Sequence, residues 1–176
     1  MSSTDPRPAA PDGGDEATPR LRPATAEDRD LLFRVYAATR EDELALADWP
    51  DEQKEAFLRQ QFEAQDRHYR EHYPGARFLV VERQGEAVGR FYVHHREGEI
   101  RLMDVALLPA ARGRGIGSRL LRDLMAEGAA SGRCLTIHVE RFNRALGLYR
   151  RLGFRVAEDR GVYLFLEWLP AGGGAE

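Results

Sequence analysis

The sequence predicts a mixed α/β (α+β) fold in which a central β-sheet is flanked by helices. Two segments with helical periodicity come first, and from Phe78 onward the apolar residues recur with the period of two that is typical of strands. Turn residues separate these segments, and one glycine-rich segment stands between a predicted strand and a predicted helix. After a short strand and the two helices, the order ββ-β-α-β-α-ββ indicates a mixed sheet with helices packed on it.

The first predicted elements are a short strand, with the sequence LRP, and two helices. Thr25, followed three residues later by Asp28, resembles a capping box, so a helix should begin near Ala26. The second helix should begin beyond Pro50. It should end at residues 72–75, because the sequence HYPG places one residue before a proline and then supplies a glycine turn.

Three strands follow, and the third contains a break in its pattern. The strands Phe78–Glu82 and Val88–His94 should form a hairpin, and Glu99–Leu108 should be the third strand. Its apolar residues share one parity in the first half and the opposite parity in the second half, which predicts a β-bulge between the halves. The two sets are Ile100 and Leu102, then Met103, Val105 and Leu107.

The remaining elements alternate between helix and strand. A helix should follow the glycine-rich segment, and Leu135–Val139 should be a strand. Arg144–Leu152 is predicted to be a helix. Phe154–Ala157 and Val162–Trp168 should form a final hairpin, with its turn at residues 159–161.

Length and composition fit one domain with two tails. The chain has 176 residues, of which 43% are hydrophobic and 31% are charged, as in globular proteins. Residues 1–20 are rich in Pro, Ala, Gly, Asp and Thr and contain no aromatic residue, so we predict a disordered tail there. The domain should cover 21–169, and 170–176 should be a flexible C-terminal tail.

Charge and cysteine content argue against several classes of function. A net charge of −3 gives no reason to expect a nucleic-acid partner. The single cysteine, Cys134, excludes an intramolecular disulfide and a cysteine-based zinc cluster, and we expect a structural thiol. The histidines and carboxylates show no recognised ligand spacing, so we predict no metal. With no apolar run of about 18 residues and no secretory signal, we expect no membrane partner and a cytoplasmic location.

The glycine-rich segment Arg112–Ser118 has the chemistry of an anion site. It reads RGRGIGS between a predicted strand and a predicted helix, and a helix N-terminus offers unpaired N–H groups to a phosphate. The three glycines allow close approach to the backbone, and the two arginines add positive charge. The spacing fits neither a dinucleotide fingerprint nor a P-loop. The alternative is a flexible turn with solvated arginines.

Two segments resemble a known family. The pattern Arg112-x-x-Gly115-x-Gly117 resembles the Q/R-x-x-G-x-G/A acetyl-CoA signature of the GNAT superfamily of N-acetyltransferases. Downstream, residues 143–154 resemble the family's N…A…LY…LGF segment. The resemblance covers roughly residues 21–169, including the order of strands and helices. It implies the GNAT fold, in which two central strands splay apart.

The resemblance also implies a cosubstrate and its contacts. Acetyl-CoA would place its pantetheine in the gap between the splayed strands and its pyrophosphate on the glycine-rich loop. The acetyl group would move to a primary amine of a small molecule, an amino acid or a protein, by direct attack in a ternary complex. The implied contacts are Val105, Ala106, Leu107, Arg112, Gly113, Arg114, Gly115, Ile116, Gly117, Ser118, Asn143 and Tyr149.

Two of these residues keep alternative interpretations. The family's tyrosine points at the sulfur of coenzyme A, so the resemblance implies that Tyr149 is the general acid; a core aromatic is the alternative. Tyr149 lies six residues after Asn143, one fewer than is usual in the family. Asn143 is therefore either a cofactor contact or the N-cap of its helix.

Several residues are candidates for the general base. His138 is placed first because a neutral imidazole has the best intrinsic pKa for proton transfer near pH 7. Asp104 lies at the predicted bulge, where side chains are often re-aimed toward a site, and Glu99 is a third candidate. Water could also carry the proton without a protein base.

The acceptor site and the assembly are less constrained by the sequence. In this fold the two N-terminal helices cover the acceptor cleft, so specificity should reside there. An alternative function is a non-catalytic acyl-CoA-binding regulatory module, and the chain should be a monomer or a homodimer. The residues that these helices offer are Arg40, Glu41, Glu43, Trp49, Phe62, Gln65, His68 and Tyr69.

Overall fold

The structure, a computed structural model, describes residues 18–171, so most of both predicted tails lies outside the described residues. Arg20, which the sequence assigned to the N-terminal tail, already belongs to the first strand. The strands are β1 (Arg20–Pro23), β2 (Arg77–Arg83), β3 (Glu86–His95), β4 (Glu99–Leu107), β5 (Cys134–Glu140), β6 (Arg155–Arg160) and β7 (Tyr163–Trp168). The helices are α1 (Arg29–Ala45), α2 (Asp51–His72), α3 (Ile116–Ser131) and α4 (Leu146–Arg151).

The seven strands form one mixed sheet in the order β1-β2-β3-β4-β5-β7-β6. Only β4 and β5 run parallel among the described strands; the other neighbours are antiparallel. Parallel neighbours need a crossover connection, and α3 supplies it. The predicted mixed sheet with flanking helices is confirmed.

The predicted bulge lies in β4 and coincides with the point where the sheet opens. Tyr92 of β3 pairs with Asp104, but the next residue, Val93, pairs with Leu102, so Met103 is the extra residue. Pairing between β4 and β5 begins at the N-terminal ends of both strands and stops at Leu102 with Ile137. Beyond that pair β4 continues to Leu107 and β5 continues to Glu140, but the two strands no longer pair with each other. The two strands therefore splay apart at the bulge.

Each face of the sheet has its own hydrophobic core. Under α3 and α4, Leu121 and Tyr149 pack in one buried cluster with Ile137 of β5. Under α1 and α2, Tyr36 and Phe62 pack with strand residues in a second cluster. The bulge lets β4 contribute to both cores, because it changes which residues face each side of the sheet.

Several element boundaries differ from the predictions by one to three residues, and two of them have a clear local reason. The helix predicted at Arg144–Leu152 begins only at Leu146, because the backbone at residues 144–145 forms a turn in which the Asn143 side chain accepts the N–H of Ala145. The strand predicted to end at Ala157 continues to Arg160. Here the Asp159 carboxylate accepts hydrogen bonds from the backbone N–H of Gly161 (2.9 Å) and from the guanidinium of Arg141. The turn is therefore tighter than predicted.

No helix among residues 18–171 is both long enough and apolar enough to cross a membrane.

A close approach of β3 to β4 makes Gly89 sensitive to substitution. Gly89 lies opposite Leu107, and a Cβ atom there would clash with the carbonyl oxygen of Ala106 and lie 2.6 Å from a Leu107 methyl carbon. We expect Gly89→Ala to lower the free energy of unfolding by roughly 1–3 kcal/mol, measured by urea denaturation. Gly98→Ala is the control, because a Cβ at Gly98 meets no atom within 4 Å. An equal loss in both variants would contradict the proposed clash.

Candidate active site

The splayed ends of β4 and β5 open into a cleft of about 880 Å³. One side is formed by the second half of α1 and by α2, and the other by the β5–α4 segment and α4. The stretch of β4 that has no partner in β5, from Met103 to Leu107, runs along the floor of the cleft. Because no strand pairs with this edge, its backbone groups are available to a ligand that lies between the strands.

The glycine-rich loop lies at one end of this cleft and leads directly into α3. Gly113 and Gly115 have φ angles of 69° and 77°, in the left-handed region that favours glycine, and Gly115 is the N-cap of α3. The first amides of α3, those of Ile116, Gly117 and Ser118, have no intrahelical acceptor and carry the positive end of the helix dipole. The loop therefore has the backbone conformation of an anion site.

Arg112 has a structural role that the sequence did not reveal. Its Nε donates to the carbonyl of Leu107 at 3.0 Å, and its Nη2 donates to the carbonyl of Ala38 at 3.2 Å. The side chain thereby ties α1 to the end of β4. Partial burial and the nearby charge of Arg144 lower the pKa of the guanidinium. The side chain of Arg114, in contrast, is exposed.

Tyr149 lies on α4 and is only 2% exposed, yet it lines the cleft. Its ring packs edge-on against Phe154, with 5.8 Å between the ring centroids. Burial, and then the negative charge of Asp104, raise the pKa of its phenol well above the ordinary value. Its hydroxyl finds no hydrogen-bond partner among residues 18–171. The result is a protonated phenol that remains free to donate.

Asp104 is the first residue after the bulge, and it lies on the opposite side of the splayed edge from α4. Its Oδ2 accepts a hydrogen bond from Nη2 of Arg90 at 2.7 Å and from the hydroxyl of Tyr69 at 3.5 Å. The side chain keeps 16% of its surface exposed and lines the cleft. A carboxylate and a protonated phenol thus border the same gap between β4 and β5.

His138 also lines the cleft, but from an open face of β5. Its side chain is exposed, and its ring lies 4.9 Å from the ring of Phe165, centroid to centroid. Partial burial, and then the charges of Arg101 and Arg160, lower the pKa of the imidazole. Glu99 does not line the cleft: it accepts a hydrogen bond from the Thr136 hydroxyl at 2.8 Å, pairs with two arginines, and is committed to those contacts.

A family model described as an acetyltransferase (GNAT) domain matches residues 74–156. The matched residues 74–156 are those of a GNAT acetyltransferase domain. The matched stretch begins after α2 and ends in β6, so it includes the splayed strands, the glycine-rich loop, Asp104 and Tyr149.

Solved structures share the GNAT fold over most of the chain. PaiA N-acetyltransferase from Thermoplasma acidophilum, solved in complex with coenzyme A, has a TM-score of 0.66 at 18% identity and covers 86% of this chain and 99% of its own. An acetyltransferase from Thermus thermophilus has a TM-score of 0.63 at 23% identity, covering 86% of this chain and 97% of its own.

A curated relative is similar in sequence over a shorter stretch. The mycothiol acetyltransferase of Nocardia farcinica is 39% identical over 88 residues, which are 49% of this chain and 28% of that protein. The matched stretch therefore spans little more than a quarter of that relative.

Within this GNAT domain, Asn143 is not the N-cap that one interpretation expected. The N-cap of α4 is Ala145, and the Asn143 side-chain oxygen accepts the Ala145 N–H at 2.8 Å. This contact between a side chain and the backbone two residues on is a local turn, which fixes the entry into α4. Asn143 does line the cleft.

The side of the cleft formed by α1 and α2 contains some of the predicted residues and several others. Trp49 and Glu41 do not line the cleft, and Phe62 is buried in the core beneath α1 and α2. Within residues 18–171, no group of three His, Cys, Asp or Glu side chains has the geometry of a metal site. The predicted residues that line the cleft are Arg40, Glu43, Gln65, His68 and Tyr69, and those that the sequence missed include Tyr36, Tyr73, Arg90 and Met103.

Proposed function

We propose that this chain is an N-acetyltransferase that moves an acetyl group from acetyl-CoA to a primary amine. One observation carries the proposal. The gap between the splayed strands is bordered by the N-terminus of α3 at one end, and by a buried phenol and a fixed carboxylate where the strands part. The GNAT domain gives the class of reaction, and this arrangement supports both substrates meeting in one cleft.

The residues at the cleft fit acetyl-CoA. The free edge of β4 at Val105 and Ala106 offers backbone groups to the two pantetheine amides, as a neighbouring strand would. The carbonyl of Leu107 already accepts from Arg112, so we place the pantetheine contacts before it. The pyrophosphate would lie on the amides of Ile116, Gly117 and Ser118, with Arg114 able to reach it from the solvent side.

The two polar side chains at the gap divide the proton transfers between them. Acetyl-CoA supplies the activated thioester. As the amine nitrogen forms a bond to the acetyl carbon and the carbon–sulfur bond breaks, the Tyr149 phenol donates its proton to the departing sulfur. The nitrogen loses one proton to the Asp104 carboxylate, which then releases it to solvent, and solvent returns a proton to the Tyr149 phenolate. Groups positioned in this way contribute about 10²–10⁴-fold to rate.

We place the proton acceptor at Asp104 rather than at His138. Both residues lie just beyond the last β4–β5 pair, but the His138 side chain is exposed and packs against Phe165, whereas the Asp104 carboxylate is held by Arg90 at 2.7 Å. We therefore expect His138→Gln to change kcat by less than about threefold. If His138 were the base, the wild-type kcat would rise as the imidazole loses its proton, at a pH below the ordinary imidazole pKa of 6.5. The variant would then lack this rise. A pH profile of kcat for wild type and variant distinguishes the two outcomes.

The proposal is tested by binding and turnover measured on the same preparation. Acetyl-CoA is titrated into the full chain by calorimetry, and thiol release is then followed with alkylamines, amino-acid amides and peptides that carry a free N-terminus or a lysine. We expect saturable binding, and thiol release only when an acceptor is present. Binding without release for every amine would favour the non-catalytic acyl-CoA-binding module. No binding at millimolar acetyl-CoA would contradict both functions.

A further inference from the structure

Arg90 is a charged residue in the middle of β3 whose burial needs an explanation. It is 2% exposed, and its guanidinium lies over the rings of Tyr36 and Tyr92, at 5.6 Å and 5.2 Å from their centroids. Burying a charge is costly, and a buried ion pair often stabilises a fold no better than apolar residues of the same size. The position of Arg90 is therefore poorly explained by stability alone.

The hydrogen bonds of Arg90 are concentrated on one atom. Its Nη2 donates to Oδ2 of Asp104 at 2.7 Å and to Oε1 of Gln65 on α2 at 2.9 Å. Its Nε is buried and has no partner among the described residues. An arginine placed only to stabilise the core would be expected to use all of its donors. Here both hydrogen bonds come from Nη2, and the shorter of the two joins Arg90 to Asp104.

The position of Asp104 across the sheet shows what this contact does. Arg90 pairs with Ala106, so its side chain reaches diagonally along β4 to Asp104, beyond the direct cross-strand neighbour. Oδ2 of Asp104 is held by Arg90 from β3 and by Tyr69 from α2. Oδ1 has no hydrogen-bond partner among residues 18–171, and the side chain faces the cleft.

We propose that Arg90 is a positioning residue that fixes the Asp104 carboxylate, with its free oxygen directed at the acceptor amine. This inference rests on the proposed function. One oxygen is held from inside the protein, which leaves the other in a fixed direction to accept the proton of the attacking nitrogen. The acceptor would thus be recognised first by its primary amino group, at a carboxylate in a cleft that the rings of Tyr36, Tyr69 and Tyr73 also line.

The requirement for a fixed carboxylate follows from the reaction. The amine must lie against the acetyl carbon at a defined angle, and a misplacement of about 1 Å can reduce the rate about 10²-fold. Asp104 lies directly after the bulge. Its backbone pairs with Tyr92 of β3, but β5 no longer pairs with β4 at this point and does not restrain it. Arg90 supplies the missing restraint through the side chain.

The test compares Arg90→Met, Arg90→Lys, Asp104→Asn and the double variant Arg90→Met/Asp104→Asn in the full chain. The acceptor is the amine that wild type acetylates fastest in the panel above. We expect Arg90→Met to lower kcat/KM for the amine about 10- to 100-fold while the Kd for acetyl-CoA changes less than about twofold. Arg90→Lys, which keeps a charge beside Asp104, should recover at least about half of the logarithmic loss. Because Arg90 acts through Asp104, the double variant should be no slower than Asp104→Asn alone.

Asp28→Asn is the control for a loss of stability. Asp28 is a buried carboxylate that forms an ion pair with Arg22, and it does not line the cleft. The variant should lose stability in thermal unfolding without changing kcat/KM for the amine. The inference is overturned if Asp28→Asn and Arg90→Met reduce kcat/KM equally, or if Arg90→Met weakens acetyl-CoA binding as much as it reduces turnover. It is also overturned if the losses in kcat/KM of Arg90→Met and Asp104→Asn add in the double variant. The double variant removes both charges, so an unpaired buried charge cannot explain its loss. A wild type that acetylates no amine overturns the proposed function itself, whereas turnover that is indifferent to Arg90 overturns this inference alone.

Discussion

Gly115→Glu should raise the Kd for acetyl-CoA roughly 10²–10⁴-fold. Gly115 is the N-cap of α3 with a φ of 77°, so a side chain there strains the loop and displaces the amides that follow. A carboxylate at the same point also repels the pyrophosphate. Losing about two charge-assisted hydrogen bonds, at about 1.5–3 kcal/mol each, gives the stated range. Calorimetric titration of acetyl-CoA measures the change.

The opposite end of α3 provides a matched control. Gly132 also has a left-handed φ, 65°, and a Cβ at either glycine meets no atom within 4 Å. Gly132→Glu therefore introduces the same side chain and a similar backbone strain, about 1–2 kcal/mol, at a place remote from the loop. We expect its Kd for acetyl-CoA to stay within about twofold of wild type. Equal weakening in the two variants would mean that strain in α3, and not loss of an anion site, causes the effect.

The features that the sequence predicted well are local ones. The bulge followed from the apolar parity within a single strand, and the structure places it at Met103, one residue after the first set ends. The strand–loop–helix order around Gly115 was likewise contained in a few consecutive residues. Such features depend on backbone sterics and on one face of one element, so no distant partner is needed to infer them.

The features that the sequence concealed depend on distant partners. Arg90 stands in a strand, where a charged residue is ordinarily solvent-facing, and only the fold brings Gln65 and Asp104 to it. The sequence predicted Arg112 as a phosphate ligand, but it did not reveal that the guanidinium also donates to the Ala38 carbonyl of α1, 74 residues earlier. Glu99 and Asp104 are both carboxylates of β4, and both pair with arginines. The sequence alone could not tell that, of the two, Asp104 lines the cleft and Glu99 does not.

Tyr149→Phe is expected to lower kcat about 10²–10³-fold, with less than about a threefold change in the Kd for acetyl-CoA. Phenylalanine keeps the packing of the ring against Phe154 and removes only the hydroxyl, so the fold should be unaffected. The departing sulfur would then have to take its proton from water. Steady-state kinetics with the fastest amine acceptor, together with calorimetry, separate turnover from binding.

The pH dependence gives a second test of the same assignment. Because burial and then Asp104 raise the pKa of the Tyr149 phenol, the acid form persists at a pH where an ordinary tyrosine, with a pKa of about 10, would have lost its proton. The wild-type kcat should therefore rise as the amine deprotonates and should not fall on approaching pH of about 10. Tyr163→Phe serves as the control, since Tyr163 also lines the cleft but is 49% exposed, and its kcat should stay within about twofold of wild type. If Tyr149→Phe retained the kcat of Tyr163→Phe, the sulfur would be protonated by solvent, and Tyr149 would be a core aromatic residue that happens to border the cleft.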